Sequence, residues 1–214
     1  MLKDSTAKGW VPWSGDRITD TLAKASGLYN ETPVLNMLNT KYIIYVYKNA
    51  QGQGIAEEVA ENPNAGGPAW FTDSIKFVAD VNTEMLELGK VNPLNTAIIH
   101  EEFKDKVKNT NVLSDKNASV KFISYAPNYL VYETNSTVDG FVVFSEIYYE
   151  KGWNAYIDGV PADHVRVNYV LRGMDVPASK HTIEFKFEPE NWYKMKKVSL
   201  AGNLILLLVV AGYI

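Results

Sequence analysis

The chain has 214 residues, a formal net charge of −4 and no cysteine. That length allows one domain or two modest ones around a substantial core, and the lack of a basic excess speaks against generic nucleic-acid binding. Disulfides, thiolate metal sites and cysteine nucleophiles are excluded, while 13 Tyr and 5 Trp favour strands over helices.

Residues 1–33 are weakly patterned, with Trp10, Pro12 and Trp13 among Gly and Ser, then a short amphipathic helix over 16–26 closed by Gly27. Met1-Leu2-Lys3-Asp4 leads into a polar segment, which is not a signal peptide. Pro33 opens a helix over 33–38 capped by Thr32, and KYIIYVYK (41–48) reads as a strand of β-branched and aromatic residues. NPNAGG (62–67) is turn chemistry, after which 69–71 and 75–81 read as extended. Asn82 is the expected cap of a helix over 83–88, with Gly89 just past its end, and TAIIH (96–100) is a short buried strand. Strand, helix and strand in this order suggest an α/β lobe over 34–103. The polar stretch 104–119 is the expected linker.

The pattern then changes to six strand-like runs at 120–125, 129–134, 140–147, 153–157, 165–171 and 182–187. Turn signals at Pro127-Asn128, 135–137, Asp158-Gly159 and 177–179 separate them, a spacing that reads as a sandwich over 120–191. Ile183, Phe185 and Phe187 alternate with Glu184 and Lys186, the period-2 signature of a sheet with one wet face. Asp158-Gly159 signals a type I′ hairpin, because both central residues of that turn need positive φ. The last segment, 198–214, carries no charge, and at 1.5 Å per residue it reaches about 25 Å of a roughly 30 Å hydrocarbon core. Trp192 and Tyr193 precede it as interfacial anchors, with Lys194, Lys196 and Lys197 placed to snorkel. It reads as the start of a transmembrane helix, and the chain as a piece of a longer protein.

No catalytic residue and no metal site is expected from the residues. The three histidines are scattered, with no His-x-His, His-x3-His or Glu-x-x-His spacing, although Asp158, Asp163 and His164 lie near one hairpin. No Gly-x-Ser-x-Gly occurs, and the adjacent pairs Glu57-Glu58 and Glu101-Glu102 read as solvated surface. The sequons at Asn30, Asn117 and Asn135 matter only in a host that glycosylates them. Sugar-binding sandwiches use aromatic faces beside hydroxyl-binding polar groups, so Tyr148, Tyr149, Trp153, Tyr156, Asp158, Arg166, Asn168 and Arg172 are the candidate glycan contacts. The competing reading is structural: Trp153 plugs the end of the sandwich, and Arg166 or Arg172 bonds carbonyls or Glu146.

Several long blocks occur in order: VLNMLNTKYII (34–44), NPNAGGPAWF (62–71), SYAPNYLVYET (124–134), FSEIYYEKGWNAYIDG (144–159) and RVNYVLRGMDVPASKHTIEFKFEP (166–189), followed by the apolar helix. Over about 34–214 the chain resembles the C-terminal region of YfhO-type bacterial membrane proteins, particularly the Bacteroidetes branch. The resemblance implies a large multispanning protein similar to GT-C-type glycosyltransferases of cell-envelope glycan assembly, with this region outside the cytoplasm, on the periplasmic side. The GT-C catalytic acid lies in an early loop, so no catalytic residue carries over to this chain. The expected fold is α+β: a small α/β N-terminal lobe, a jelly-roll-like antiparallel β-sandwich, and a partial C-terminal transmembrane helix. The expected role is non-catalytic assistance to glycan or lipid-linked sugar recognition, with no cofactor. Expected partners are membrane lipid at the C-terminal helix, the rest of the parent protein and a glycan, but no nucleic acid. The alternative is a structural module that packs on its own membrane domain or a partner and binds no ligand.

Overall fold

The computed structural model describes residues 33–48, 54–108 and 115–213. The helix read over 16–26, the Thr32 cap and part of the 104–119 linker lie outside them. In chain order the elements are α1 (Pro33–Met37), β1 (Tyr42–Lys48), β2 (Gly54–Glu61), β3 (Ala69–Phe71), β4 (Ser74–Val78), α2 (Val81–Leu88) and β5 (Thr96–His100). A 3-10 turn (Glu101–Lys106) leads on to β6 (Ser119–Ala126), β7 (Tyr129–Ser136), β8 (Gly140–Ile147), β9 (Trp153–Ile157) and β10 (Val160–Ala162). The remainder are β11 (Val165–Val167), β12 (Leu171–Val176), β13 (Ser179–Phe187) and α3 (Glu190–Tyr213).

Two sheets make the sandwich, of order β10-β9-β13-β7-β6 and β3-β8-β12-β11-β5-β4, and β1-β2 is a separate antiparallel pair. Every pairing is antiparallel except β4 with β5, which are parallel and joined through α2. This is a mixed α+β chain built on an antiparallel sandwich, followed by an apolar helix. β3, β4 and β5, read from sequence as parts of an α/β lobe, are strands of the six-stranded sheet. One end of that sheet is joined through the pairing of Val167 with Ile99.

Two cores account for this arrangement. Between the sheets lie Leu130, Tyr132, Val142, Phe144, Met174, Ile183 and Phe185. On the other face of the six-stranded sheet, Met37, Leu88, Ile98, Phe141, Val143 and Val167 pack with residues of α1 and α2. Because side chains alternate across a strand, β8 sends Phe141 and Val143 to one core and Val142 and Phe144 to the other, all four at 0% exposure. Its continuous apolar run is therefore that of a strand buried on both faces.

Three local readings differ from the structure. The cap of α2 is Asp80, whose Oδ1 accepts from the Thr83 amide, and the helix starts at Val81, ahead of Asn82. The run 165–171 is two strands, broken where Asn168 and Tyr169 take φ of 48° and 72°. β2 was not anticipated, because its sequence GIAEEVAE is rich in Ala and Glu, and its strand form comes from pairing with β1. The Asp158-Gly159 hairpin has the expected conformation, with φ of 50° and 80° joining β9 to β10.

Gly173 lies in β12 against the outer core, and a Cβ there would sit 2.5 Å from Phe141 Cε1 and 2.8 Å from Val167 Cγ1. Gly173→Ala should therefore lower stability by about 1–3 kcal/mol through overpacking, read as a lower denaturation midpoint of the protein in detergent.

A candidate glycan-contact surface

β13 ends at Phe187 and α3 begins at Glu190, so the end of the sandwich carrying Phe187 adjoins the helix. Trp153 is the cross-strand partner of Phe187, with ring centroids 5.4 Å apart. Arg172 reaches the same end from β12, its guanidinium 4.3 Å from the Trp153 ring centroid and 5.2 Å from that of Phe185. The Arg172 Nε donates to the Ile147 carbonyl at 3.0 Å. Its Nη1 is buried without a hydrogen-bond partner, as are Tyr132 Oη and His164 Nε2. His164 packs on Tyr148 at 5.5 Å and on Phe185 at 5.6 Å, and Tyr148 meets Phe103 at 5.9 Å.

Electrostatics follow from this burial. Desolvation, then the Arg172 charge, pushes His164 down to about 4, so its imidazole is neutral at neutral pH. Burial raises Glu146, with Arg172 opposing, and raises the Tyr132 phenol well above its usual range. Arg172 is lowered chiefly by burial, with Glu146 opposing. Trp153, Tyr148 and Arg172 are thus one contiguous cluster, with Arg172 3% exposed and Tyr132 at 0%.

The outer face of the five-stranded sheet presents a second group at the same end. Lys186 Nζ lies 4.7 Å from the Tyr156 ring centroid and 5.7 Å from that of Tyr129. Tyr156 donates its hydroxyl to Glu188 Oε2 at 2.8 Å, Asn154 Nδ2 donates to the same oxygen at 3.0 Å, and Tyr129 donates to Glu184. Two rings, an ammonium, carboxylates and an amide on one sheet face supply stacking surfaces and groups able to bind sugar hydroxyls. Of these, only Tyr156 was singled out from sequence. Lys186 and Glu184 were legible as wet-face residues and Tyr129 only as the start of a strand, and their convergence depends on the β7-β13-β9 register.

The remaining candidates stand elsewhere. Asn168 is fully buried, accepting from the Ile98 amide at 2.8 Å and donating to the Pro93 carbonyl at 3.2 Å. Arg166 forms an ion pair at 3.0 Å with the buried Glu84 and donates to the Tyr169 carbonyl at 2.7 Å. Tyr149 is 53% exposed. Asp158, at the opposite end of the sandwich, holds His181 Nδ1 at 2.6 Å. The carbonyl bonds of Arg166 and Arg172 are those of the structural reading. Among the described residues no group of three or more His, Asp or Glu is arranged to hold a metal ion.

A family model described as bacterial membrane protein YfhO matches residues 85–199, more than half of the chain. No curated protein and no solved structure matches.

The hydrogen bond to Asp158 raises His181 above the ordinary 6.5, and the bond from His181 lowers Asp158. Stability from the raised histidine is complete below the unfolded value and lost as pH rises through the folded one; that from the lowered aspartate is lost as pH falls through its folded value. An NMR titration should place the His181 midpoint above 6.5, and Asp158→Asn should return it toward that value.

Proposed function

The chain belongs to the YfhO family of bacterial membrane proteins, and from that premise we propose that it is the extracytoplasmic part of a multispanning protein resembling GT-C glycosyltransferases. In this reading it takes no part in glycosyl transfer itself and contacts a glycan or a lipid-linked sugar at the membrane surface. Membrane association rests on the family and on Lys194–Gly212, a segment long and apolar enough to cross a membrane, with mean hydropathy 1.6 and none of it buried. The observation that carries the glycan reading is the Tyr129-Lys186-Tyr156 group, whose Glu188 stands just ahead of the first residue of α3. A saccharide attached to a lipid would meet the protein at this end. Rings held by carboxylates keep a fixed orientation, which lowers the entropy lost on stacking a sugar.

A second reading, a structural module without a ligand, draws on the internal use of Arg166, Asn168 and Arg172. It requires Tyr148, Tyr149 and Trp153 to be covered by protein in the full-length molecule.

Two experiments test the proposal. NMR titration of the chain in detergent with cell-envelope oligosaccharides should shift the Tyr129 and Tyr156 resonances, and Tyr156→Ala should weaken binding about tenfold or more while the fold is retained. Trp153→Ala, at the neighbouring ring cluster, tests whether that group contributes. Absence of a shift with every envelope glycan would leave the structural module standing. For orientation, Val160→Cys introduces a thiol at a position 65% exposed in a chain that otherwise has none, and its labelling is read against the unsubstituted protein. An impermeant maleimide should label the thiol in intact cells, and labelling only after lysis would overturn the extracytoplasmic placement.

A further inference from the structure

At the end of the sandwich away from α3, three side chains stand in sequence. Ser179 Oγ is 3.0 Å from His181 Nε2, and His181 Nδ1 is 2.6 Å from Asp158 Oδ2. Asp158 is fixed in turn, because its Oδ1 accepts from the Thr182 amide at 2.8 Å and its backbone occupies the β9–β10 turn. A hydroxyl within reach of an imidazole whose other nitrogen is held by a carboxylate is the arrangement that activates a serine nucleophile, whatever the fold.

Four further features fit that use. Ser179 has φ of 108°, a conformation L residues rarely adopt, and such strain concentrates at functional positions. The loop ahead of it is tied down, since the Ala178 amide donates to Asp139 Oδ1 at 2.8 Å. Ser179 is exposed while the His181 side chain is only 16% exposed, so the hydroxyl is open to a reactant and the base is sheltered. The Ala178 carbonyl lies 3.2 Å from His181 Nε2 and can accept from the imidazolium that forms once the serine proton has moved.

We propose that Ser179, His181 and Asp158 form a nucleophilic relay that takes an acyl group from a short-chain ester and passes it to water. Ser179 Oγ attacks the ester carbonyl, forming an oxygen–carbon bond as its proton passes to His181 Nε2. The ester's carbon–oxygen bond breaks, and His181 returns the proton to the departing alkoxide. Water, deprotonated by His181, then cleaves the acyl-serine to release the acid and regenerate Ser179. Asp158 is a positioning residue that sets the tautomer and orientation of His181. The exposure of Ser179 lets it be reached by an ester carried on a larger molecule, such as an acetyl ester. The relay is independent of glycan binding at the opposite end.

The test is covalent capture of the chain in detergent by a fluorophosphonate, with the adduct mapped by mass spectrometry and p-nitrophenyl acetate hydrolysis followed in parallel. Attack forms an oxygen–phosphorus bond and releases fluoride, so the label reports the first step alone. The expected result is an adduct on Ser179, a labelling rate that rises as His181 loses its proton, and a loss of about a hundredfold in His181→Gln. Asp158→Asn should shift the pH at which labelling rises, which a merely structural role would not do. Ser179→Gly removes the hydroxyl at a backbone angle that glycine favours, so loss of labelling with an unchanged circular dichroism spectrum separates chemistry from folding. Absence of a Ser179 adduct from folded protein at alkaline pH, or labelling indifferent to His181→Gln, would overturn the proposal.

Discussion

The central strands of the six-stranded sheet are buried on both faces, and the rest of the molecule is arranged around that constraint. A sheet with one wet face needs apolar residues only at alternate positions, but β8 lies between two cores and is closed to water from Phe141 to Phe144. Full burial of each such side chain contributes about 1.5–3 kcal/mol, so this short run feeds both cores at once. It also means that a polar group entering the sheet must find its partner inside the protein.

The polar side chains of this sheet follow that rule in different ways. Asn168 stands in for a missing strand neighbour, bonding the Ile98 amide and the Pro93 carbonyl. Glu84, fully buried on α2, accepts from the Tyr169 amide and holds Arg166, so one carboxylate joins the helix to β11 and to the β11–β12 turn. Removing Arg166 would leave the fully buried Glu84 carboxylate without its cation, which costs more than the pair itself contributes. Arg172 is the exception: it stacks on Trp153 and Phe185 and bonds one carbonyl, and the charge of its guanidinium helps keep His164 neutral.

These differences explain what could be read along the chain. β8 and β9 begin and end where their apolar and aromatic runs meet turn residues, because those signals are local. Asp158-Gly159 was legible for the same reason, since Asp-Gly tolerates the angles its turn requires. The joining of β5 to β11 was not, because it depends on one pairing and one asparagine amide at a separation of 70 residues. The candidate surface was half legible. Trp153, Tyr148 and Arg172 cluster in sequence and in space, whereas Tyr129 joins Tyr156 only through the register of three strands. Ser179 and His181 share a strand face, but their third member comes from the β9–β10 turn, and nothing near it in sequence announces that meeting.

β13 orders the chemistry of the two ends. Its inward row reads Ser179, His181, Ile183, Phe185 and Phe187, polar where the core ends and aromatic where α3 follows. At a rise of about 3.3 Å per residue the strand separates Ser179 from Phe187 by roughly 25 Å. A single small molecule cannot bridge that distance, so a ligand at the tyrosine surface and an ester at Ser179 are separate events unless both belong to one extended polymer. With the apolar helix leaving from the Phe187 end, the tyrosine surface is the part of the sandwich next to the membrane segment. The serine is carried at the other end of the same strand, where it is exposed to solvent.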